Sequence, residues 1–559
     1  MKRKIIYFIS LLFLVTACDL DFFPSDAMTP EQLAEDPGGA VYITDGNYSM
    51  FKDEYEYKGL YSGGNSYIRH YMQMAEFPSD NICLSGRTTD VLYDATVYRT
   101  NPTLKNVSTF WWLSYRIIFG ANSVIESVVD GASTESDYIK GENYFIRAIA
   151  HLNLVTLYAK PYSHGRDNQG IVLRTSTNTA NTTRATVGQV YDQIEADLKE
   201  AIRLMSNGTR RGNAGYASKE AAQGLLSRVY LYMEKNQEVI TLVNEMLNNA
   251  SPASKLESKA NFQNYFANTL TSNETLWAIA HTALETRGQS SIASMYLNDG
   301  MGWGEVFSSD PLNSLYERYP NDVRYSYFVK PKYHTTPGYM ISYPVANPDD
   351  DSRGNELKDV TLDPITNKYY YTDGGKKVNV ETELVNGYEQ KYILLNGQKQ
   401  PVRLTQKMQN RNSFPMYYVT KFSYQDGDPM MNSPVMLRWA EVILNRAEAY
   451  AKTAGKEADA LADVNVLRTR AGLSGNELFT TSNMGAKGYT NVLDVVLDER
   501  RLELAFEGHR MFDLYRNKKN MDRKYAGVQP WEIVNYDNNK IQYPIPFDEI
   551  SVSGIEQNP

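Results

Sequence analysis

Residues 498–516, DERRLELAFEGHRMFDLYR, constrain the fold more than any other stretch, because they combine helix-forming residues with an ordered pattern of charge. Opposite charges recur three positions apart, at Asp498–Arg501, Arg500–Glu503, Glu507–Arg510, Arg510–Asp513 and Asp513–Arg516. That spacing places side chains together on a helix surface, so the pattern predicts one continuous helix. An apolar stripe that includes Arg500 predicts that this helix also packs against a core; its members are Leu493, Val496, Leu497 and Leu504.

Two more helices are predicted just upstream. Residues 436–452, MLRWAEVILNRAEAYAK, are apolar on nearly every side, which indicates a buried helix. Residues 457–471 have apolar side chains at helical spacing and stop at Gly472, which suits the left-handed position after a helix. Because surface charge pairs contribute only about 0.2–0.5 kcal/mol each, we expect the charges to fix helix orientation rather than to supply stability.

Four segments in this region occur in a recognisable order: LRWAEVILNRAEAYA, NVLRTRAGL, LDERRLELAFEGHRMFDLYR, and YPIPFDEI followed by QNP. Together they resemble the C-terminal signature of the SusD/RagB family of surface nutrient-binding lipoproteins. The resemblance implies a mainly α fold, with a degenerate tetratricopeptide-like helical repeat scaffold and an inserted loop-and-strand subdomain that binds the ligand. It also implies a lid-like position on a TonB-dependent outer-membrane transporter.

The N-terminus is predicted to be a lipoprotein signal peptide, residues 1–17. Lys2, Arg3 and Lys4 precede an apolar run at residues 5–15, which is shorter than the roughly 20 residues that span a bilayer. Val15-Thr16-Ala17-Cys18 is typical of a lipobox, which predicts lipid attachment at Cys18 and a membrane anchor. An ordinary signal peptide with an incidental cysteine is the alternative. The acidic residues that follow, in family bacteria, resemble a tag for the outer face of the outer membrane.

Composition favours an exported soluble body. The chain has 559 residues, 42% of them hydrophobic, which is enough for a large core. Without the three basic residues of the leader, the formal net charge of −9 becomes −12, which argues against nucleic acid and anionic lipid as partners. Of the two cysteines, lipidation of Cys18 leaves only Cys83, so no intramolecular disulfide is expected.

The order of elements predicts five regions. A tether (residues 18–28) is followed by an N-terminal helical repeat region (29–260), which begins at the capping pair Thr29-Pro30. Within it, residues 61–102 lack helical period and are predicted to be ligand-side loops with short strands. Residues 261–430 form the predicted ligand-binding insertion, and residues 431–559 the C-terminal helical region. The predicted helix pairs are 110–129 with 142–158, and 187–205 with 219–236, with Ala148, Ala222 and Ala447 where helices approach closely.

The insertion has the composition of strands and turns. Residues 332–406 contain eight tyrosines between turn-forming dipeptides such as Asp373-Gly374 and Asn396-Gly397. The whole chain has 42 Tyr against 19 Phe and 6 Trp. An exposed Tyr or Trp offers a flat apolar face and a polar edge, which suits a sugar ring, although most single tyrosines only straddle core and surface.

Motifs for catalysis are weak. The sequence has no Gly-x-Ser-x-Gly, no His-Glu-x-x-His and no phosphate-binding glycine loop. His151 and His509 fall on predicted helices, where a structural role is expected. The run Asp349-Asp350-Asp351 suggests a calcium loop, but Val360 occupies the position that requires a bidentate Glu. No cofactor or metal is predicted, while the two carboxylates of a glycosidase leave no fixed spacing to search for.

The resemblance also implies individual site residues. In the starch-binding family member, the ligand is held by an Arg seven residues before the Glu of a Glu-x-Pro-[Ser/Thr]-Asp motif. The matching motif begins at Glu76 and places Arg69 there. The Tyr and Trp of that member correspond to Tyr296 and Trp303. The alternatives are that Arg69 pairs with a structural carboxylate and that Trp303 fills a core gap. Leu84 and Gly86 replace the family's Trp residues, which argues against starch itself.

The predicted function is therefore non-catalytic capture of oligosaccharides or polysaccharides outside the outer membrane, and their delivery to the transporter. Three alternatives stay open at this point. The same scaffold could capture peptides, as family members resembling RagB do. A surface glycoside hydrolase would release reducing ends. A purely structural repeat protein would bury the tyrosines around residues 330–392.

Overall fold

The computed structural model describes residues 38–57, 64–180, 182–298 and 300–559. The predicted signal peptide and tether, the Cys18 lipid site and the Thr29-Pro30 helix start lie outside these ranges. Within them, no helix is long and apolar enough to cross a membrane.

A stack of long helices forms the scaffold. Each packs against the next, from Lys105–Ser127 through Thr134–Tyr158, Val187–Leu204 and Lys219–Tyr232 to Asn236–Leu247. Local signals set the ends: Thr186 caps Val187–Leu204 with a reciprocal bond from Gln189. The described helices are Gly39–Met50, Tyr67–Glu76, Leu92–Thr96, Lys105–Ser127, Thr134–Tyr158, Val187–Leu204, Lys219–Tyr232, Asn236–Leu247, Lys259–Phe262, Ile292–Tyr296, Asp310–Glu317, Val323–Phe328, Trp439–Ala451, Glu457–Arg470, Val492–Glu503, Arg510–Arg516 and Phe547–Ser553.

The stack continues across the insertion. Trp439–Ala451 packs against both Asn236–Leu247 and Lys219–Tyr232, so the chain leaves the helical layer and returns to the same place. Ala148, Ala222 and Ala447 are all fully buried. The predicted fold class, a tetratricopeptide-like helical scaffold with an added sheet subdomain, is confirmed; the domain boundaries themselves stay predictions.

The added subdomain is a seven-stranded antiparallel sheet. Asn396 and Gly397 have φ of 51° and 80° and join two strands by a two-residue turn, as predicted. Of the eight tyrosines at residues 332–406, only Tyr343 and Tyr371 are buried, so these eight tyrosines are not an interior set. The strands, in spatial order, are Lys376–Asn379, Lys368–Asp373, Arg353–Asp363, Tyr339–Ala346, Gln398–Gln406, Tyr388–Leu395 and Glu381–Val385.

Short strand pairs accompany the helices and the larger sheet, and one of them corrects a sequence prediction. The predicted helix at 436–452 begins only at Trp439, because Val435–Arg438 is a strand that pairs with Thr275–Ala278. The prediction that residues 61–102 lack helix is also wrong, since Tyr67–Glu76 is a helix with all ten residues buried. The other pairs are Ile82–Leu84 with Val306–Ser308, Gln169–Val172 with Arg184–Thr186, Val329–Pro331 with Tyr417–Val419, Asn410–Arg411 with Phe414–Pro415, and Met521–Asp522 with Ile533–Val534.

Residues 498–516 are not the single helix that the charge pattern predicts. One helix ends at Glu503 and the next begins at Arg510, and between them Phe506 and Gly508 have φ of 70° and 77°. Of the five predicted pairs, only Asp513–Arg516 is an ion pair among the described residues. Most of the other charges are buried and bind partners outside the predicted pairs, as Arg501 and Arg510 do with Asp80, while Asp498 accepts from Tyr489 at 2.7 Å.

Buried side chains satisfy the backbone groups that the break exposes. Lys421 Nζ donates to the carbonyls of Glu503 and Ala505 at 3.0 and 2.8 Å. On the other side, the amides of Phe506 and Gly508 donate to the Glu76 carboxylate at 3.1 and 2.8 Å. Because buried backbone groups are costly when unpaired, these contacts stabilise a break that the local sequence disfavours.

An ion cluster around Glu503 joins the insertion to the C-terminal helices. Its carboxylate contacts Arg438 at 2.6 Å, Arg324 at 3.1 Å and also Arg470, and all these side chains are at most 5% exposed. Arg438 also contacts Glu274 at 2.9 Å. Although burial raises the pKa of a carboxyl, the three arginines hold the pKa of Glu503 well below its ordinary value, so it is ionised. The cluster therefore joins five segments that are distant in the sequence.

Candidate functional site

Arg69 lies on the buried helix Tyr67–Glu76 and points toward the edge of the insertion. Its Nη1 donates to the Ser290 carbonyl at 2.8 Å, and its Nη2 to Asp90 Oδ2 at 2.9 Å. The residue is 5% exposed. Arg69 thus pairs with a carboxylate, as one of the sequence interpretations anticipated, and its nearly buried guanidinium is held in one orientation.

Trp303 lies in the glycine-rich loop that follows helix Ile292–Tyr296. Its backbone amide donates to Ser294 O at 2.8 Å, and its indole N–H donates to Gln289 O at 3.0 Å. Arg411 Nη1 in turn donates to the Trp303 carbonyl at 3.2 Å. Two of these bonds fix the Trp303 backbone, and the third fixes the orientation of its half-buried ring.

The structure brings Arg69 and Trp303 together. The Arg69 Cζ lies 4.9 Å from the centre of the Trp303 ring, a stacked arrangement that orders both groups. Gly64 leaves room for this approach, because a Cβ there would come within 2.9 Å of Arg69 Nε and the arginine side chain would have to shift. One face of the Trp303 ring thus contacts Arg69, and the indole N–H binds the loop at Gln289.

Asp90 completes the cluster and was not singled out by the sequence. Its Oδ1 accepts from Gln73 Nε2 at 2.9 Å and from the Leu92 amide at 3.0 Å, and its Oδ2 accepts from Arg69. The side chain is 25% exposed, so Oδ2 can accept a further hydrogen bond from solvent or a ligand. Burial lowers the pKa of Lys105, and the nearby Arg69 charge acts in the same direction.

A second element missed by the sequence is the turn at residues 424–431. Tyr424 has φ of 72°, is 43% exposed, and its hydroxyl lies 4.0 Å from Met301 Sδ, two residues before Trp303. Gln289 Nε2 lies 3.5 Å from Met430 Sδ in the same turn. The only local signal is an aromatic residue directly before the turn-forming Gln-Asp-Gly.

Tyr296 does not belong to this surface. The residue is 1% exposed and packs against Phe77, Phe422 and Phe506, with ring centres 5.7 to 5.9 Å apart. The prediction of Tyr296 as a ligand-binding residue is therefore not supported by its position. Its short helix serves the site indirectly, because Ser294 holds the Trp303 backbone.

The Glu-Phe-Pro-Ser-Asp motif is buried and binds the C-terminal segment, so it is not part of the candidate surface. Glu76 binds the amides at the helix break, and burial raises its pKa from 4.5 to about 7. Asp80 contacts Arg510 at 2.8 Å and Arg501 at 3.2 Å. Although burial acts in the opposite direction, these two arginines lower the pKa of Asp80 from 3.8 to about 2. The motif therefore positions Arg69 by fixing its helix.

The site is a shallow surface. The cleft beside Arg69 has a volume of only about 20 Å³. A much larger groove, about 1090 Å³, lies on the helical face and is lined by none of the three predicted residues. In the described ranges, no three His, Cys, Asp or Glu side chains are grouped as a metal site. Burial lowers the pKa of His151 to about 3 and that of His509 to about 4, so both imidazoles are neutral at pH 7.

Fold and site together define a helical-repeat protein with an inserted sheet and a surface cluster of Trp, Arg and Asp. A family model described as starch-binding and associating with the outer membrane matches residues 57–231. The model of the SusD family matches residues 273–559. The chain belongs to the SusD family.

Individual relatives agree over the full length. Two proteins of Formosa agariphila named as SusD-like are each 23% identical, over 98% and 99% of this chain and 97% of each relative. Among solved structures, a SusD superfamily protein from Bacteroides thetaiotaomicron is 22% identical with a TM-score of 0.68, covering 93% of this chain and 99% of that one. A laminarin-binding SusD-like protein is 20% identical with a TM-score of 0.58, covering 94% and 99%. The structures establish a shared fold.

Proposed function

We propose that this protein captures oligosaccharides or polysaccharides at the cell surface without hydrolysing them, and delivers them to a TonB-dependent outer-membrane transporter. Membership of the SusD family supports this function. So do the names of similar structures, which describe a carbohydrate-binding protein from Bacteroides vulgatus and a laminarin-binding protein. The Trp303–Arg69–Asp90 cluster is the observation in this chain that carries the proposal.

The cluster has the chemistry that a sugar requires. The half-buried Trp303 ring offers an apolar surface to the C–H face of a pyranose. Asp90 is 25% exposed and retains acceptor capacity on Oδ2. Arg69 has five N–H donors, of which the named bonds use two, and the 7% of its side chain that is exposed faces the cleft. Since both charged groups are already oriented by protein contacts, a hydroxyl meets donors and acceptors that need no rearrangement. Tyr424 extends the same surface.

The proposed location is the outer face of the outer membrane, with the lipid on Cys18. The lipobox and the acidic residues after it support the anchor. The family description of association with the outer membrane supports the compartment. The acidic net charge fits a body that does not bind nucleic acid.

The first test is isothermal titration of the chain from residue 19 against plant, host and microbial oligosaccharides, with a tryptic peptide mixture alongside. We expect one glycan class to bind. Trp303→Ala should raise Kd at least tenfold, which corresponds to about 1.4 kcal/mol, because the apolar platform is lost. Trp531→Ala is the matched control, since Arg353 stacks on that half-buried ring at 5.3 Å and, within the described residues, Trp531 forms no hydrogen bond or ring contact with Arg69, Asp90 or Trp303. The control should bind like the parent.

Three results would contradict the proposal. If the peptide mixture releases heat of binding and no glycan does, the cargo is peptide. Release of reducing ends would show an enzyme. Equal loss of binding in Trp303→Ala and Trp531→Ala would show that the Arg69 cluster is not the binding surface.

A further inference from the structure

The groove of about 1090 Å³ on the helical face is apolar and open. Its walls are one side of helix Gly39–Met50, one side of helix Lys105–Ser127, and residues 546–552. Phe119, Val129 and Val552 line it and are 49%, 73% and 87% exposed. A contiguous apolar surface of this kind on a soluble body indicates a surface that another segment or molecule covers.

The chain itself enters at this groove. The described residues begin at Gly38, and helix Gly39–Met50 contributes Ala40, Ile43 and Met50 to the groove wall. Residue 37 is therefore tethered next to the groove. The preceding stretch, residues 19–37, can reach about 60 Å when extended, at 3.3–3.6 Å per residue.

The composition of that stretch matches the groove. It contains Leu20, Phe22, Phe23, Met28 and Leu33, which are the side chains that an apolar groove accepts. It also carries six carboxylates and no Lys or Arg.

Arg116, on the wall of the groove, is a cation that could pair with the carboxylates of residues 19–37. Arg116 is exposed and stacks on Trp112 and Tyr55 at 4.8 and 5.2 Å, and it forms no ion pair with any described carboxylate. The two carboxylates that line the groove are already engaged: Asp548 accepts from Tyr57, and Glu549 accepts from Trp111. Arg116 therefore remains available to an acidic segment.

We propose that residues 19–37 of this chain occupy the groove, with Phe22 and Phe23 as the principal apolar contacts. A tethered segment has a high effective concentration at its own attachment point, so it competes well against a separate molecule. The helical face is then closed by the chain's own N-terminal stretch.

The test measures thiol accessibility in the chain from residue 18 with Cys18→Ser; Cys83 is buried and does not compete. Phe119→Cys and Val129→Cys report on the groove, and Ile365→Cys, at a position 92% exposed in the sheet subdomain, is the reference. We expect maleimide to label both groove thiols at least tenfold more slowly than the reference. Adding Phe22→Asp and Phe23→Asp should bring all three rates within threefold, whereas the matched control Ser25→Asp should leave the groove thiols slow.

Other occupants give different outcomes. Groove thiols that label as fast as the reference in the parent chain overturn the proposal, because nothing covers them. Slow labelling that the Phe22 and Phe23 changes do not relieve also overturns it. If that slow labelling strengthens with protein concentration and the sedimentation mass doubles, the occupant is a second copy.

Discussion

Arg438→Met should lower the free energy of unfolding by about 3–5 kcal/mol, because it breaks the buried ion cluster and leaves carboxylates without their counter-ion. Arg438 contacts Glu274, Glu503 and Glu507 at 2.6–2.9 Å and is 1% exposed. The methionine keeps the apolar stem, so lost packing contributes little to the change. Urea unfolding followed by circular dichroism measures the effect through the midpoint at a constant m-value.

Arg203→Met is the control for that experiment. Arg203 also contacts two carboxylates, Asp130 and Glu200, but these side chains are 42–53% exposed. Exposed pairs contribute about 0–1 kcal/mol, so the control should unfold near the parent midpoint. Similar losses in the two variants would show that burial of the cluster has no special role.

Several elements follow directly from local sequence. Gly472 has φ of 95° and ends helix Glu457–Arg470, as its position predicts. Asn396-Gly397 forms the predicted hairpin turn because both residues tolerate positive φ. In these cases the signal and the structure lie within a few residues of each other, and no distant contact is needed.

Other elements depend on contacts that the local pattern cannot show. Charges three apart predict surface pairs, but the same residues bind distant partners when they are buried, as Arg501 and Arg510 do with Asp80. Helix Tyr67–Glu76 does have apolar residues at helical spacing, namely Tyr67, Ile68, Tyr71, Met72 and Ala75, but it is only ten residues long. The Gly-, Asn- and Asp-rich stretches around it give residues 61–102 the overall composition of a loop, and this composition hides the short helical period.

The candidate site shows the same division. The family resemblance selected Arg69 and Trp303, and the structure places them 4.9 Å apart. The family resemblance could not select Asp90 or Tyr424, because their roles depend on how two loops pack beside the helix of Arg69. Tyr296 matches the family motif in sequence, but its ring is enclosed by three phenylalanines. Side-chain direction, rather than residue type, decides its role.

Asp80→Asn should lower the free energy of unfolding at neutral pH. It should also reduce how much that free energy falls as the solution is acidified. In the folded state, Arg501 and Arg510 hold the pKa of Asp80 at about 2, although burial alone would raise it; the ordinary value is 3.8. A carboxyl with a lowered folded pKa stabilises the fold above its unfolded pKa, and this contribution is lost as pH falls from about 4 to about 2. The linked contribution is on the order of 2–3 kcal/mol at pH 7. Since the asparagine also leaves two buried guanidinium groups without a carboxylate, we expect a total loss of about 3–5 kcal/mol.

The pH dependence separates this electrostatic role from a packing role. Parent and Asp80→Asn should differ most above pH 4 and should converge toward pH 2, where the parent carboxyl becomes protonated. Asp130→Asn is the control: that carboxylate also contacts a Lys and an Arg, Lys140 and Arg203, but is 51% exposed and should change stability by less than about 1 kcal/mol. A difference that stays constant from pH 7 to pH 2 would mean that Asp80 acts through shape alone. Glu76 binds the amides of Phe506 and Gly508, and Asp80 pairs with Arg510, so both carboxylates attach the helix of Arg69 to the C-terminal segment. Loss of the Asp80 ion pairs should therefore also loosen that helix and weaken glycan binding in the same variant.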